Sequence, residues 1–186
     1  MNRRTLRRLA IFMGTFSLIC YCIGYGIPNA DGSLADGNGW MTARIRLEGR
    51  QDHSGVLVNV DGLRQLTGSD GYVFFLLPEG YHTITVSMDG YLYAQRGFQV
   101  RHNRPVDLST VTLLAGDADG NRLIDFLDLV IVHAAFGSAP PSDPRADING
   151  DGRVDILDAL FIRVNLGREA PTRWGAWAFL AGHTDS

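Results

Sequence analysis

Between Met41 and Leu114 the chain runs in short stretches that alternate apolar and polar positions: TARIRLEG, GVLVNVDG, GYVFFLLP, HTITVSMDG and VDLSTVTLL. Each is closed by Gly, Pro, Asp or Asn. Alternation with period two, rich in β-branched and aromatic residues, marks strands with one buried face. Several such runs in succession predict a β-sandwich. Beyond Ala115 the period changes. FLDLVIVHAAFG and ILDALFIRVNLG each fit about three turns of helix, with Leu129, Val132 and Phe136 in the first, and Leu160, Phe161 and Val164 in the second, expected on the buried stripe. Neither helix buries a stripe alone, so the two are expected to pack on each other. The predicted class is mainly β with a small α part.

Each helical segment follows an acidic loop. DADGNRLIDFLD (Asp117 to Asp128) and DINGDGRVDILD (Asp147 to Asp158) repeat at a thirty-residue interval, with Gly137 and Gly167 closing the two copies. Oxygen-bearing side chains fall at loop positions 1, 3, 5, 9 and 12: Asp117, Asp119, Asn121, Asp125 and Asp128, then Asp147, Asn149, Asp151, Asp155 and Asp158. That spacing lets a chain wrap a hard cation in about six to eight oxygens, with the position-7 carbonyls of Leu123 and Arg153 completing the set. Calcium is the expected occupant of both loops. Position 9 would reach the ion directly or through a water, and position 12 sits where a helix begins, so its carboxylate also complements the helix dipole. Gly152 supplies the sharp turn at position 6, where the first loop has Arg122. A side chain there resists positive φ, so the first site is expected to be the weaker. Asp, Asn and Gly are also ordinary turn residues, but two copies in register outweigh a pair of solvated turns.

No helix is expected before either loop: a strand-like segment leads into Asp117 and the Pro-rich SAPPSDPRA into Asp147. This duplicated loop-helix unit, from about Gly116 to Arg168, resembles the type I dockerin repeat pair, including Asp rather than Glu at both position-12 sites. The resemblance implies calcium binding and docking on a cohesin module in an extracellular polysaccharide-degrading or surface assembly. Many dockerins carry Ser-Thr at positions 10 and 11; here the pairs are Phe126-Leu127 and Ile156-Leu157. A partner would meet an apolar patch, and known cohesin specificities do not transfer.

The segment TGSDGYVFFLLPEGYHTITVSMDGYL resembles carboxypeptidase regulatory-like domains, on Thr67, Gly71, Pro78, Gly80, Gly90 and Tyr91. The resemblance implies an Ig/transthyretin-like β-sandwich serving as a spacer or stability module. The expected organisation is a signal peptide or signal anchor at 1–26, a linker at 27–40, the sandwich at 41–115, the dockerin-like domain at 116–168 and a tail at 169–186.

Arg3, Arg4, Arg7 and Arg8 ahead of the apolar stretch Leu9 to Ile27 match a secretory signal. Its length also suits a membrane anchor if it is not cleaved. The expected location is extracellular or at the cell surface. Both cysteines, Cys20 and Cys22, fall in this leader, so calcium takes the place of a disulfide. Without the four leader arginines the formal net charge of −3 becomes four units more negative, which disfavours nucleic acid as a partner.

Catalysis finds little support. Asp52, His53 and Ser54 are adjacent, and neighbours cannot face one another as a triad requires, so a polar turn is expected. His82, His102, His133 and His183 lack zinc spacing, and His133 is expected on a helix surface. Glu48 and Glu79 would need a sugar cleft that a domain of this size lacks. Trp40, Trp174 and Trp177 are read as packing rather than sugar platforms. The leading reading is a secreted calcium-binding interaction module. The alternatives are a structural protein with no partner, in which Phe126, Leu127, Ile156 and Leu157 are buried, and a small carbohydrate-binding protein with an exposed coplanar aromatic row.

Overall fold

The computed structural model describes residues 37–172 and 174. The signal segment, the tail beyond Trp174, and with them Cys20, Cys22, Trp177 and His183, lie outside the described residues. Among the described residues the fold is mainly β with two helices. The strands are β1 (Asn38–Leu47), β2 (Leu57–Val60), β3 (Leu63–Leu66), β4 (Tyr72–Pro78), β5 (Gly80–Ser87), β6 (Gly90–Tyr91), β7 (Ala94–Val100), β8 (Pro105–Leu113) and β9 (Ala115–Asp117). The helices are α1 (Phe126–Ala135) and α2 (Ile156–Asn165), with a 3-10 turn at Pro144–Ala146 before the second loop. None of these helices is long and apolar enough to cross a membrane.

Three sheets form, ordered β4-β1-β8, β3-β2-β5-β7 and β6-β9. The alternation seen in the sequence is what buries one face: Met41, Ala43, Ile45 and Leu47 point inward from β1. In the antiparallel β2/β5 pair, Val58 faces Val86 and Val60 faces Ile84, all four fully buried. β1 begins at Asn38, inside the stretch expected to be a linker. Two strands lacked a readable pattern. Every residue of β3 is exposed, and β7 is interrupted by Gly97, where a Cβ would overlap the Tyr81 hydroxyl.

The described chain divides into two compact units. Residues 37–41, Phe75–Gly80 and Gln99–Val106 belong to one, in which Glu79 donates its N–H to Gly37 O and Asn103 donates to Asn38 O. Thr42–Phe74, Tyr81–Phe98 and the described residues from Asp107 onward belong to the other. Within this larger unit both acidic loops and the second helix are stitched to strands and the turn that follows β1. β6 pairs with β9, setting Gly90 opposite Asp117 and Tyr91 opposite Ala115. The Glu48 carboxylate accepts from Ala115 N at 3.0 Å and from Asn165 Nδ2 at 2.5 Å, while Asn165 also donates to Ala115 O. The buried Tyr91 hydroxyl donates to the carbonyls of Glu48 and Ile148, and its removal from water pushes its pKa up to about 12.

The buried positions of the helical half follow the thirty-residue repeat. Ala118 and Ile148, Ile124 and Val154, Asp128 and Asp158, Val132 and Ile162, and Ala135 and Asn165 occupy equivalent places. This corrects the expected stripe: Val132 is buried, but Phe136, Leu160 and Val164 are exposed. The helices do touch, yet each also has a second neighbour: α1 packs on the 3-10 turn, and α2 turns a face to β9 and the turn after β1, with Ile162 beside Gly116 and Phe161 over Gly49. A helix packed on two neighbours buries a different arc from one packed on its twin alone.

Replacing Glu48 by Ala leaves Ala115 N and Asn165 Nδ2 short of a buried acceptor. The expected cost is on the order of 2 kcal/mol, read by urea unfolding. Glu48→Gln, which keeps an acceptor oxygen, should lose less.

Candidate metal centres

In the first loop backbone N–H groups gather the carboxylates. Arg122 N donates to both oxygens of Asp117 at 3.3 and 3.1 Å. Asp119 N and Asp125 N donate to the two oxygens of Asp128 at 3.1 and 2.8 Å. Asn121 N and Nδ2 bond Asp119, and Leu123 N bonds Asn121 Oδ1. Ligand atoms of Asp117, Asp119 and Asp128 thereby lie within 4.8 Å of one another.

The second loop repeats the scheme. Gly152 N and Asp151 N donate to Asp147, Ile148 N and Asn149 N to one oxygen of Asp158, and Asp155 N to the other. Asn149 bonds Asp151 through its amide, and Arg153 N donates to Asp151 Oδ1. The amide Asn149 stands where the first loop has the carboxylate of Asp119.

Position 9 has a role the spacing did not reveal. Asp125 and Asp155 are the N-caps of α1 and α2, accepting from Leu127 N and Leu157 N at 2.7 and 2.8 Å. With Asp128 and Asp158 returning to the cap N–H groups, both helices open on a complete capping box. One carboxylate thus closes the loop, starts the helix and faces the ligand cluster.

The loops also hold each other. Ile124 N donates to Arg168 O and Gly167 N to Ile124 O, while Val154 N donates to Ser138 O and Gly137 N to Val154 O. The end of each repeat thus pairs with the loop of the other. Position 8, a branched apolar residue in both copies, is where sequence could have flagged this bridge.

Electrostatically the clusters lack balance. Burial, reinforced by repulsion from Asp128 and Asp119, pushes the Asp117 carboxyl up to about 6 against the pull of backbone N–H donors. Burial raises Asp128 and Asp158 as well, and both are fully buried. Carboxylates desolvated beside like charges ask for a proton or a cation. The donor set is all hard oxygen, which suits calcium and not a thiolate- or imidazole-seeking metal. Asp117, Asp119 and Asp128 are the first loop's convergent group; in the second, backbone N–H groups hold Asp147 and Asp158 and the Asn149 amide bonds Asp151.

Residues 115–167 match the family described as dockerin type I domain. This segment is a dockerin. Two solved structures of similar fold are interface mutants of the type II cohesin-X-dockerin complex from Acetivibrio cellulolyticus. They are 21% and 20% identical, cover 70% of this chain and 96% of their own, and give TM-scores of 0.59 and 0.60. That coverage extends well beyond the dockerin segment, so the shared fold takes in strands too. Among curated proteins, none matches this chain.

On the dockerin, Phe126, Leu127, Ile156 and Leu157 are 70%, 57%, 60% and 49% exposed. An apolar groove lies beside them, lined by Phe126, Leu129, Val130, Phe136, Ile156 and Ala159. His133 is exposed, as expected. His53 corrects the expectation of a polar turn: it is buried, and its Nδ1 accepts from Leu47 N at 3.1 Å. Burial, with Arg46 and Arg44 adding repulsion, lowers its pKa. Asp52 bonds Ser54 N and makes no triad. Glu48 serves the dockerin contact, and Trp174 donates to Leu108 O at 2.7 Å. Sequence reasoning missed the part played by Arg50, Tyr91 and Tyr93, which touch the loops across long separations.

The shift of Asp117 fixes a sign. A carboxyl whose folded pKa lies above its unfolded value destabilises the fold at pH above both values, and the penalty fades as pH falls through about 6 toward 3.8. His53 acts oppositely, so the comparison must isolate Asp117. In chelator at pH 7, Asp117→Asn should retain more of the helical circular dichroism signal than the unsubstituted chain, and the gap should close by pH 4.

Proposed function

We infer that this chain is an extracellular adaptor whose dockerin holds two calcium ions and docks on a cohesin-like receptor. The observation that carries the reading is the exposure of Phe126-Leu127 and Ile156-Leu157 at equivalent helix starts, beside an apolar groove. In each repeat the buried positions lie on one side and these pairs on another, and exposed apolar pairs at capped helix starts have no part in the fold's own core. Had they been buried, a structural protein without a partner would be the better reading.

Calcium would be held by Asp117, Asp119, Asn121, Asp125, Asp128 and the Leu123 carbonyl in one loop. Asp147, Asn149, Asp151, Asp155, Asp158 and the Arg153 carbonyl would hold it in the other. Bound there, the ion neutralises carboxylates that burial disfavours. The leader at 1–26 would export the chain or anchor it. Residues from about 41 to 115 would form the spacer, read as a carboxypeptidase regulatory-like, transthyretin-like domain whose marker residues lie in tight turns. Thr67 Oγ1 bonds His53 O and accepts from Val56 N, and Gly71, at φ 72°, packs where a Cβ would overlap Ile45 O. No row of sugar-stacking aromatics favours the carbohydrate-binding alternative: among the described exposed tyrosines, Tyr72 lies under Arg44 and Tyr81 lies against Gly97, on different sheets.

Two measurements test the reading. Adding chelator to the full chain should abolish the helical contribution of residues 126–135 and 156–165 to the far-ultraviolet circular dichroism, and calcium should restore it. A fully retained helical signal refutes the metal dependence. Against a cohesin-like receptor, Phe126→Asp with Leu127→Asp, and Ile156→Asp with Leu157→Asp, should each weaken binding, and the fourfold variant should abolish it while calcium uptake persists. Burying two such side chains contributes about 3 to 6 kcal/mol. Normal binding by the fourfold variant places the docking surface elsewhere.

A further inference from the structure

The two loops differ most at position 6, Arg122 in one and Gly152 in the other. Both residues are left-handed, with φ of 76° and 85°. A Cβ at Gly152 would meet nothing within 4 Å, so conformation and not space explains the glycine there. Arg122 must reach the same conformation with a side chain attached, and three contacts converge on it. Its N–H donates to both oxygens of Asp117. Its carbonyl accepts from Ala170 N at 3.0 Å. Its guanidinium lies over the Tyr93 ring, 5.7 Å from the centroid.

Tyr93 is itself pinned by the segment that carries Ala170. The Tyr93 carbonyl accepts from Thr172 N at 2.9 Å and from its hydroxyl at 3.4 Å, and Ala94 bridges Thr172. Leu123 bridges Glu169 one residue beyond Arg122. The chain from 169 to 172, past the matched dockerin segment, therefore laces the position-6 turn of the first loop to Tyr93. The second loop has a different neighbour, with Arg50 packed against Gly150 and over Tyr91.

We propose that Tyr93 is a positioning residue for the first calcium loop. Its ring holds the Arg122 side chain so that residue 122 stays left-handed, achieving with a stack what Gly152 achieves by lacking a Cβ. The consequence reaches the ligand through one bond: the Arg122 N–H that holds Asp117 keeps its direction only while that turn persists. The proposal rests on the calcium reading of the loops and adds a group from outside the dockerin.

The test is a calcium titration of the 15N-labelled full chain in competition with a chelator, following the Gly120 amide for the first loop and the Gly150 amide for the second. Tyr93→Leu should weaken the first loop about fivefold, as expected for loss of a half-buried cation–π contact, and leave the second within twofold. Tyr93→Phe should leave both unchanged. In an Arg122→Gly background, Tyr93→Leu should have no effect at either loop. Equal weakening of both loops, or an undiminished effect in the Arg122→Gly background, overturns the proposal by making Tyr93 a general packing residue. Should Tyr93→Leu not fold, the unsubstituted chain still decides: the Arg122 side-chain protons must show an upfield ring-current shift, and its absence overturns the stack. If neither loop titrates in the unsubstituted chain, the calcium reading itself fails.

Discussion

The dockerin half depends on an unfavourable act, the gathering of like charges out of water. Three carboxylates of the first loop bring ligand atoms within 4.8 Å of one another. At an effective dielectric of about 20, unit charges at that distance repel by about 3 kcal/mol per pair. Three pairs approach the whole stability of a small domain, about 5 to 15 kcal/mol. Backbone N–H donors offset part of this but not all, because burial still lifts Asp117 well above the ordinary carboxylate range. A proton or a cation must supply the remainder, and near neutral pH a proton is scarce. A cation bound at such a cluster would couple its binding to folding.

What makes the gathering possible is that the two repeats finish each other. Ile124 and Val154 exchange backbone bonds with the closing segments of the opposite repeat, so neither loop is complete until both helices are in place. The strands then supply a second frame. Glu48 reaches across to Asn165, Tyr91 to Ile148, and β6 lies along Asp117. A carboxylate such as Glu48 in contact with two donors specifies a geometry that an apolar patch would leave free to slide.

The repeated acidic loops and the principal strands were legible in sequence because both are written in local spacing. Asp at positions 1 and 12, or alternation such as TARIRL, needs no knowledge of the rest of the chain. The failures share the opposite property. Val164 looked like a core residue on a helical wheel, and only the second neighbour, the strand surface around Gly49 and Gly116, decides that Ile162 is buried instead. β3 has no buried face to leave a pattern. His53 was read as a turn residue because its acceptor role depends on Leu47 N, which the fold brings to it. The Arg122 turn is intermediate: its strain was visible, but not the Tyr93 ring twenty-nine residues away that accommodates it.

The exposed apolar pairs follow from the same local devices. Asp125 and Asp155 cap their helices, so residues 10 and 11 of each loop become the first helical positions, held in the capping box between the cap and the buried Asp128 or Asp158. The side chain at position 12 must point inward to join the ligand cluster. On a helix the next two positions back turn away from it by about 100° each, which places Phe126-Leu127 and Ile156-Leu157 outside for as long as the carboxylate is inside. The exposed apolar pairs and the acidic cluster are thus on opposite sides of one helical turn. The two faces are related by the repeat but not identical, since Phe126 answers to Ile156, and a flat aromatic ring and a branched aliphatic chain fill a pocket differently. A receptor able to use either orientation would still distinguish between them.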